Sequence, residues 1–217
     1  MVSIRARITE RPDSIGGRRR AARWDWLVKT FPDLEHMTVL DLGGSPDTWT
    51  RSTIHPAHVH VINIDSFAPD VEHDWLEIEY ADACALPKHI LSRTYDLAFS
   101  NSVLEHVGGH ERRVRFAESV HAVAPRHWVQ TPYRYFPIEP HWLAPGMQFM
   151  PVRVRAMFAR RWPLSHVKSV DLNDALGGVL WTDLVDRTQM RYYFPESKIQ
   201  SERLLGVTKS LIAVRSD

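Results

Sequence analysis

Residues 38–49 read TVLDLGGSPDTW. Thr38, Val39 and Leu40 run into Asp41, Leu42 follows, and Gly43-Gly44 and Ser45-Pro46-Asp47 come next. β-branched and apolar residues suit a strand in a sheet interior, and paired glycines suit a tight turn at its end. Such a turn either only reverses the chain or brings backbone N–H groups against a ligand, because glycine puts no Cβ in the way. The stretches on either side decide between the two.

Upstream, RRRAARWDWLVKTF (18–31) places Ala22, Trp24, Trp26, Leu27 and Phe31 at the spacing of an amphipathic helix. Downstream, SPDTWTRSTI (45–54) predicts a short helix with Ser45 as N-cap and Pro46 in the first turn. HVHVINID (58–65) alternates and predicts a second strand. HDWLEIEYAD (73–82) leads to a third, short strand ending near Asp82, and LPKHIL (86–91) to a helical turn. YDLAFSNS (95–102) and HWVQTP (127–132) read as the fourth and fifth strands, with a helix over HERRVRFAESVHAV (110–123) between them. Residues 172–194 are mixed and expected to be helical in their second half. The last run, IQSERLLGVTKSLIAVRS (199–216), predicts two strands around a turn at Gly206. Strands alternating with helices argue for a parallel sheet covered on both faces, with ligands gathered at the carboxyl ends of the strands.

The chain has 217 residues, enough for one domain over 1–217. Within it, 1–17 reads as an N-terminal arm and 133–164 as an aromatic, proline-rich insertion on the substrate side. A formal net charge of +1 gives no global pull toward nucleic acid or an anionic membrane. The basic runs GGRRRAAR (16–23) and RVRAMFARR (153–161) read as solvated helix faces. The one cysteine, Cys84, makes no internal disulfide. No apolar run approaches the ~20 residues of a membrane span, and the first residues lack the apolar middle of a secretory signal. The expectation is therefore a cytoplasmic protein with a small molecule as partner, no nucleic acid and no membrane span, and with a homodimer allowed.

Two carboxylates extend the opening pattern. Asp65 closes the second strand and Asp82 the third. A carboxylate at the tip of the second strand accepts two hydrogen bonds from a ribose diol, and one after the third accepts from an exocyclic amine. Turn, ribose acceptor and adenine-edge acceptor come in the order an adenosine ligand needs. The turn Gly43-Gly44-Ser45-Pro46-Asp47 does not match the G-x-G-x-x-G of dinucleotide sites.

Taken together, VLDLGGSPDTW, VINID, YADACALP and YDLAFSNSVLEHV resemble the motif series of class I S-adenosylmethionine-dependent methyltransferases, the type 11-like branch with N-x-LEH after strand four. FPESKIQSERLLGVTKSLIAVR resembles their terminal β-hairpin. The likeness covers roughly 18–131 and 190–215. It implies an α/β, Rossmann-like, doubly wound and mostly parallel seven-stranded sheet with an antiparallel C-terminal hairpin, and S-adenosyl-L-methionine as cofactor. It places Asp41 near the methionine amino group and Gly43 and Gly44 against the ligand. Asp65 would hold the ribose, Asp82 and Ala83 line the adenine, and Ser100 and Asn101 close over the methionine. Ser45 and Asp47 depart from the family's D/E-x-G-x-G-x-G pattern.

Methyl transfer asks mainly for positioning, and for a base where the nucleophile is a hydroxyl or a protonated amine. His106 after strand four and Glu139 and His141 in FPIEPHW are the candidates. Tyr133, Tyr135 and Trp142 offer rings for a substrate wall. No metal is expected. The activity implied is methylation of a small molecule at oxygen, a sugar or glycolipid precursor among the acceptors. The alternatives are a non-catalytic or regulatory protein that keeps the fold, and a nicotinamide-dependent reductase.

Overall fold

Four of the strand runs are buried on both faces, as strands inside a sheet covered on both sides must be. The computed structural model describes residues 11, 13–65, 73–165 and 169–217. β1 (Thr38–Leu42), β2 (His58–Asn63), β3 (Leu76–Tyr80), β4 (Leu97–Asn101) and β5 (Arg126–Pro132) run parallel. Two short strands, β6 (Ile138–Glu139) and β7 (Ala144–Pro145), form a separate hairpin. β8 (Lys198–Leu204) and β9 (Val207–Arg215) close the main sheet, which has seven strands in the order β3-β2-β1-β4-β5-β9-β8. β9 lies antiparallel to both β5 and β8. The turn between β8 and β9 has φ of +51° at Leu205 and +84° at Gly206, the left-handed pair that a tight two-residue hairpin requires.

The described helices are α1 (Ile15–Thr30), α2 (Asp47–Thr50), α3 (Lys88–Leu91), α4 (His110–Val123), α5 (Val152–Arg161), α6 (Leu172–Leu180) and α7 (Arg187–Tyr193). By internal contacts the chain divides into two compact units, one of Met1–Phe31 with Phe136–Thr182 and one of Pro32–Tyr135 with Asp183–Asp217. The second unit holds the seven-stranded sheet. Its core joins Leu40, Leu42, Ile62, Ala98 and Val129 of the strands to Phe116 and Val120 of α4. Each of these side chains other than Ala98 contributes about 1.5–3 kcal/mol through removal from water. The first unit has its own cluster, in which Trp142, Ala144 and Met147 meet Ala156 and Ala159 of α5 and Ala175 and Val179 of α6.

Three boundaries differ from the expectation. α1 begins at Ile15, inside the expected 1–17 arm, because the Ser14 hydroxyl accepts from Gly17 N at 3.0 Å and caps the helix. Residues 1–10 and 12 of that arm lie outside the described residues. α2 begins at Asp47 with Pro46 as N-cap and no side-chain cap; Ser45 supplies only its carbonyl, to Thr48 N at 3.0 Å. Residues 172–194 are helical in both halves. Gly177 and Gly178 weaken α6 by about 1 kcal/mol each. The Asp171 cap, accepting from Asp174 N at 2.9 Å, and the buried pair Ala175 and Val179 offset that cost.

Candidate functional site

The chain leaves β1 for β2 on one side, and β4 pairs on the other side of β1. The direction of winding reverses there, and in sheets of this kind ligands bind at that point, outside the carboxyl ends of the strands. The Gly43-Gly44 turn stands on that edge. Gly43 has φ +77°, its N–H donates to Ile62 O at 2.7 Å, and a Cβ on it would meet Val103 Cγ1 at 2.5 Å. A Cβ on Gly44 would fall inside the Asp41 carboxyl group. Both positions therefore require glycine for space, and Gly43 requires it for backbone conformation as well.

Asn63, the last residue of β2, fixes this turn. Its Nδ2 donates to Gly43 O at 3.0 Å and to Gly44 O at 2.8 Å, and its Oδ1 accepts from Asp65 N at 3.0 Å. One amide thus links the glycine turn to Asp65, which is exposed two residues past the strand. Ser100 is fully buried and its hydroxyl donates to Leu42 O at 2.9 Å, which ties β4 to the end of β1. Its side chain is spent on the floor of that edge. Asn101 ends β4 and is half-buried.

Asp41 is fully buried beneath the turn. Trp49 of α2 donates its indole N–H to Oδ2 at 2.8 Å, and Oδ1 has no hydrogen-bond partner among the described residues. Burial pushes the carboxyl up to about 7, against which the Trp49 bond is a smaller, opposing effect. An ionised carboxylate in such surroundings is costly without a cation beside it.

Asp82 is engaged. Its Oδ1 accepts from Cys84 N at 2.9 Å, and Arg112 Nη2 lies 2.9 Å from both oxygens. Burial alone would raise its pKa; the bonds from Cys84 N and Arg112 outweigh that and hold it below the usual carboxylate range. Ala83 and Cys84 are buried next to it, and burial pushes the Cys84 thiol up to about 11, so it stays protonated at neutral pH.

The candidates for acid–base work fall in both units. After β4, Glu105 is buried and accepts from Thr131 Oγ1 at 2.9 Å, while His106 is half-buried and its backbone N–H donates to Val103 O at 2.7 Å. Tyr133 and Tyr135 follow β5 with their rings edge to face, 5.5 Å apart, and Tyr135 is exposed. In the first unit, Glu139 is fully buried; it accepts from His141 Nδ1 at 2.7 Å and from Trp142 N at 2.9 Å. His141 is the more exposed member of this pair, so Glu139 orients and His141 presents. Trp142, expected at a substrate wall, is instead a core residue whose carbonyl accepts from Trp162 Nε1 at 2.6 Å. Asn63, Trp49 and Arg112 carry much of this geometry and were not singled out in the sequence. The one hint was the glycine turn, which needs a partner for its carbonyls.

No family model matches the chain, and no curated protein does. Solved structures do match. A chain from Rhodobacter sphaeroides described as a candidate Zn-dependent alcohol dehydrogenase is 12% identical at a TM-score of 0.57, over 98% of this chain and 91% of that one. An S-adenosylmethionine-dependent methyltransferase from Mesorhizobium loti is 15% identical at 0.53, over 89% and 98%. The magnesium protoporphyrin IX methyltransferase of Synechocystis PCC 6803, solved with S-adenosylhomocysteine, is 12% identical at 0.51, over 91% and 82%. At such identities the likeness is one of fold. Nicotinamide-binding sheets of this type run 3-2-1-4-5-6, whereas here an antiparallel strand, β9, is inserted between β5 and β8. The chain is an α/β protein with a doubly wound, mostly parallel sheet. More narrowly, it has the fold of the class I S-adenosylmethionine-dependent methyltransferases.

Proposed function

We propose that this chain is an S-adenosylmethionine-dependent methyltransferase that acts on a hydroxyl of a small molecule. The observation that carries the reading is Asp41: a fully buried carboxyl with one oxygen unpartnered among the described residues, set under two glycines that leave no room for a Cβ. That donor set fits the amino-acid end of the cofactor, whose ammonium would supply the missing cation. Gly43 and Gly44 would lie against the ligand, Asp65 would accept from the ribose hydroxyls, and Asp82 and Ala83 would border the adenine. Asn101 would border the methionine end, above the floor that Ser100 holds. The departure at Asp47 leaves no charge loose in the turn, because Asp47 is exposed and pairs with Arg51 at 2.5 Å. When bound, the cofactor supplies a methyl group already activated on a sulfonium.

The chain's own part is orientation and proton removal. Glu139 holds the Nδ1–H of His141, the pairing that orients a histidine for general-base work on a hydroxyl. Tyr133 and Tyr135 offer ring faces suited to a sugar or glycolipid precursor. A non-catalytic relative of the same fold is the second reading, favoured by Ser45 and Asp47 in place of the later glycines of the turn. Calorimetric titration with S-adenosylmethionine and S-adenosylhomocysteine tests the binding on which the first reading rests. Heat with both and none with NADH is expected; no heat with either cofactor form would leave the enzyme reading unsupported.

Two further results are expected. Asp65→Ala removes the ribose acceptor and weakens S-adenosylhomocysteine binding by about 1–3 kcal/mol; unchanged affinity takes Asp65 out of the site. The second concerns protons. The Asp41 pKa is about 7 in the folded chain against 3.8 for the unperturbed group. Between those values the folded chain holds the extra proton, so this group's contribution to stability falls as pH rises from about 4 to about 7. A ligand ammonium beside Asp41 favours its ionised form, so binding near pH 6 releases a proton. Titration in buffers of different ionisation enthalpy should read that release in the wild type and lose it in Asp41→Asn. Proton-neutral binding by the wild type would mean that Asp41 does not face the ammonium.

A further inference from the structure

At the opposite edge of the parallel strands, β2 and β3 pair with His60 across from Glu77 and Ile62 across from Glu79. Side chains two apart on a strand share a face, so His58, His60, Glu77 and Glu79 stand on one face of the sheet. His60 is fully buried. Its Nδ1 lies 2.8 Å from the Tyr95 hydroxyl. Its Nε2 lies 3.1 Å from Glu79 Oε2 and 3.7 Å from Glu77 Oε1, and makes no hydrogen bond among the described residues. The other oxygen of each carboxylate is held from outside. Arg93 Nη1 is 2.6 Å from Glu77 Oε2, and His89 Nε2 is 2.8 Å from Glu79 Oε1. Each glutamate is thus anchored by one oxygen and turns the other toward the same buried nitrogen. One donor atom from each of His60, Glu77 and Glu79 falls within 4.8 Å of the others.

We propose that His60 Nε2, Glu77 Oε1 and Glu79 Oε2 form a zinc site, with water as fourth ligand and Tyr95, Arg93 and His89 as the orienting shell. Tetrahedral zinc with bonds of about 2.0–2.2 Å holds neighbouring ligand atoms roughly 3.3–3.6 Å apart, and the distances of 3.1 and 3.7 Å lie on either side of that spacing. One imidazole with two carboxylates suits zinc better than calcium or magnesium, which take oxygen alone. The outer contacts follow the pattern in which a metal-bound histidine bonds a second group through its other ring nitrogen and a metal-bound carboxylate is itself held by hydrogen bonds. Two carboxylates face one guanidinium here, since Arg93 also approaches His60 Nδ1 at 3.4 Å and His58 Nε2 stands 3.9 Å from Glu77 Oε2. With the histidines neutral, the two carboxylates balance a dication, and the Arg93 charge sits on a side chain 42% exposed to solvent. The glutamate side chains are 35% and 26% exposed, which admits the water and the ion. The metal would fasten the edge strand β3 to β2.

The test uses the full chain, stripped with a chelator and titrated with zinc chloride, with bound zinc counted by mass spectrometry and the thermal midpoint recorded. One tightly bound equivalent and a raised midpoint are expected. Glu77→Gln with Glu79→Gln should remove that equivalent, and His89→Ala should weaken it about 10- to 100-fold. A proton on His60 is the competing occupant. It predicts no stoichiometric zinc and a midpoint that zinc leaves unchanged, and either result overturns the site. Zinc uptake that survives the double glutamine variant overturns it as well, since it would come from other histidines. Circular dichroism reports whether the double variant folds; if it does not, the affinities of Glu79→Gln and His89→Ala alone decide, and zinc binding unchanged in both overturns the site.

Discussion

Gly43→Ala is expected to destabilise the chain by about 2–5 kcal/mol and to abolish S-adenosylhomocysteine binding. Two costs add. A left-handed backbone costs an alanine roughly 1–2 kcal/mol, and Gly43 has φ +77°. Its new Cβ would press on Val103 Cγ1 at 2.5 Å, and overpacking of that kind costs about 1–3 kcal/mol. Gly206→Ala separates the two, because Gly206 has φ +84° with nothing near its Cβ position. It should lose only the backbone share. Denaturant midpoints measure both variants, and Gly43→Ala with Val103→Ala should regain part of the difference. A Gly43→Ala chain as stable as Gly206→Ala would mean that the turn yields easily and is not the rigid cradle described above.

His141→Ala is expected to lower turnover by about 10²- to 10⁴-fold, the range for a lost general base, while S-adenosylhomocysteine binds as before. Glu139→Gln removes the carboxylate that fixes the His141 tautomer, so it should lower turnover and shift the pH profile, again without effect on cofactor affinity. Release of S-adenosylhomocysteine in the presence of a hydroxylated acceptor measures both. Turnover unchanged in His141→Ala would reduce the pair to a structural contact in its hairpin.

The parallel strands, the Gly206 hairpin and the long helix over 110–123 were legible because each rests on local pattern: apolar runs, a turn residue, a 3.6-residue period. α6 was not, because two adjacent glycines argue against a helix until its buried side is known. Of the proposed site, the turn at Gly43 was legible, because its positive φ follows from turn chemistry and chain order. The rest was hidden where one residue serves another far away. Arg112 reaches Asp82 from 30 positions on, and Asn63 holds carbonyls 19 and 20 positions back. The LEIEY run of β3 looks like a solvated edge, and only its register against β2 reveals that Glu77 and Glu79 turn toward His60.

A crystal structure of the chain with S-adenosylhomocysteine tests the central claim most directly. The ligand is expected at the carboxyl ends of β1 and β4, its chain against Gly43 and its amino group within hydrogen-bond distance of Asp41. A ligand bound elsewhere, or one whose amino group faces away from Asp41, would contradict that claim.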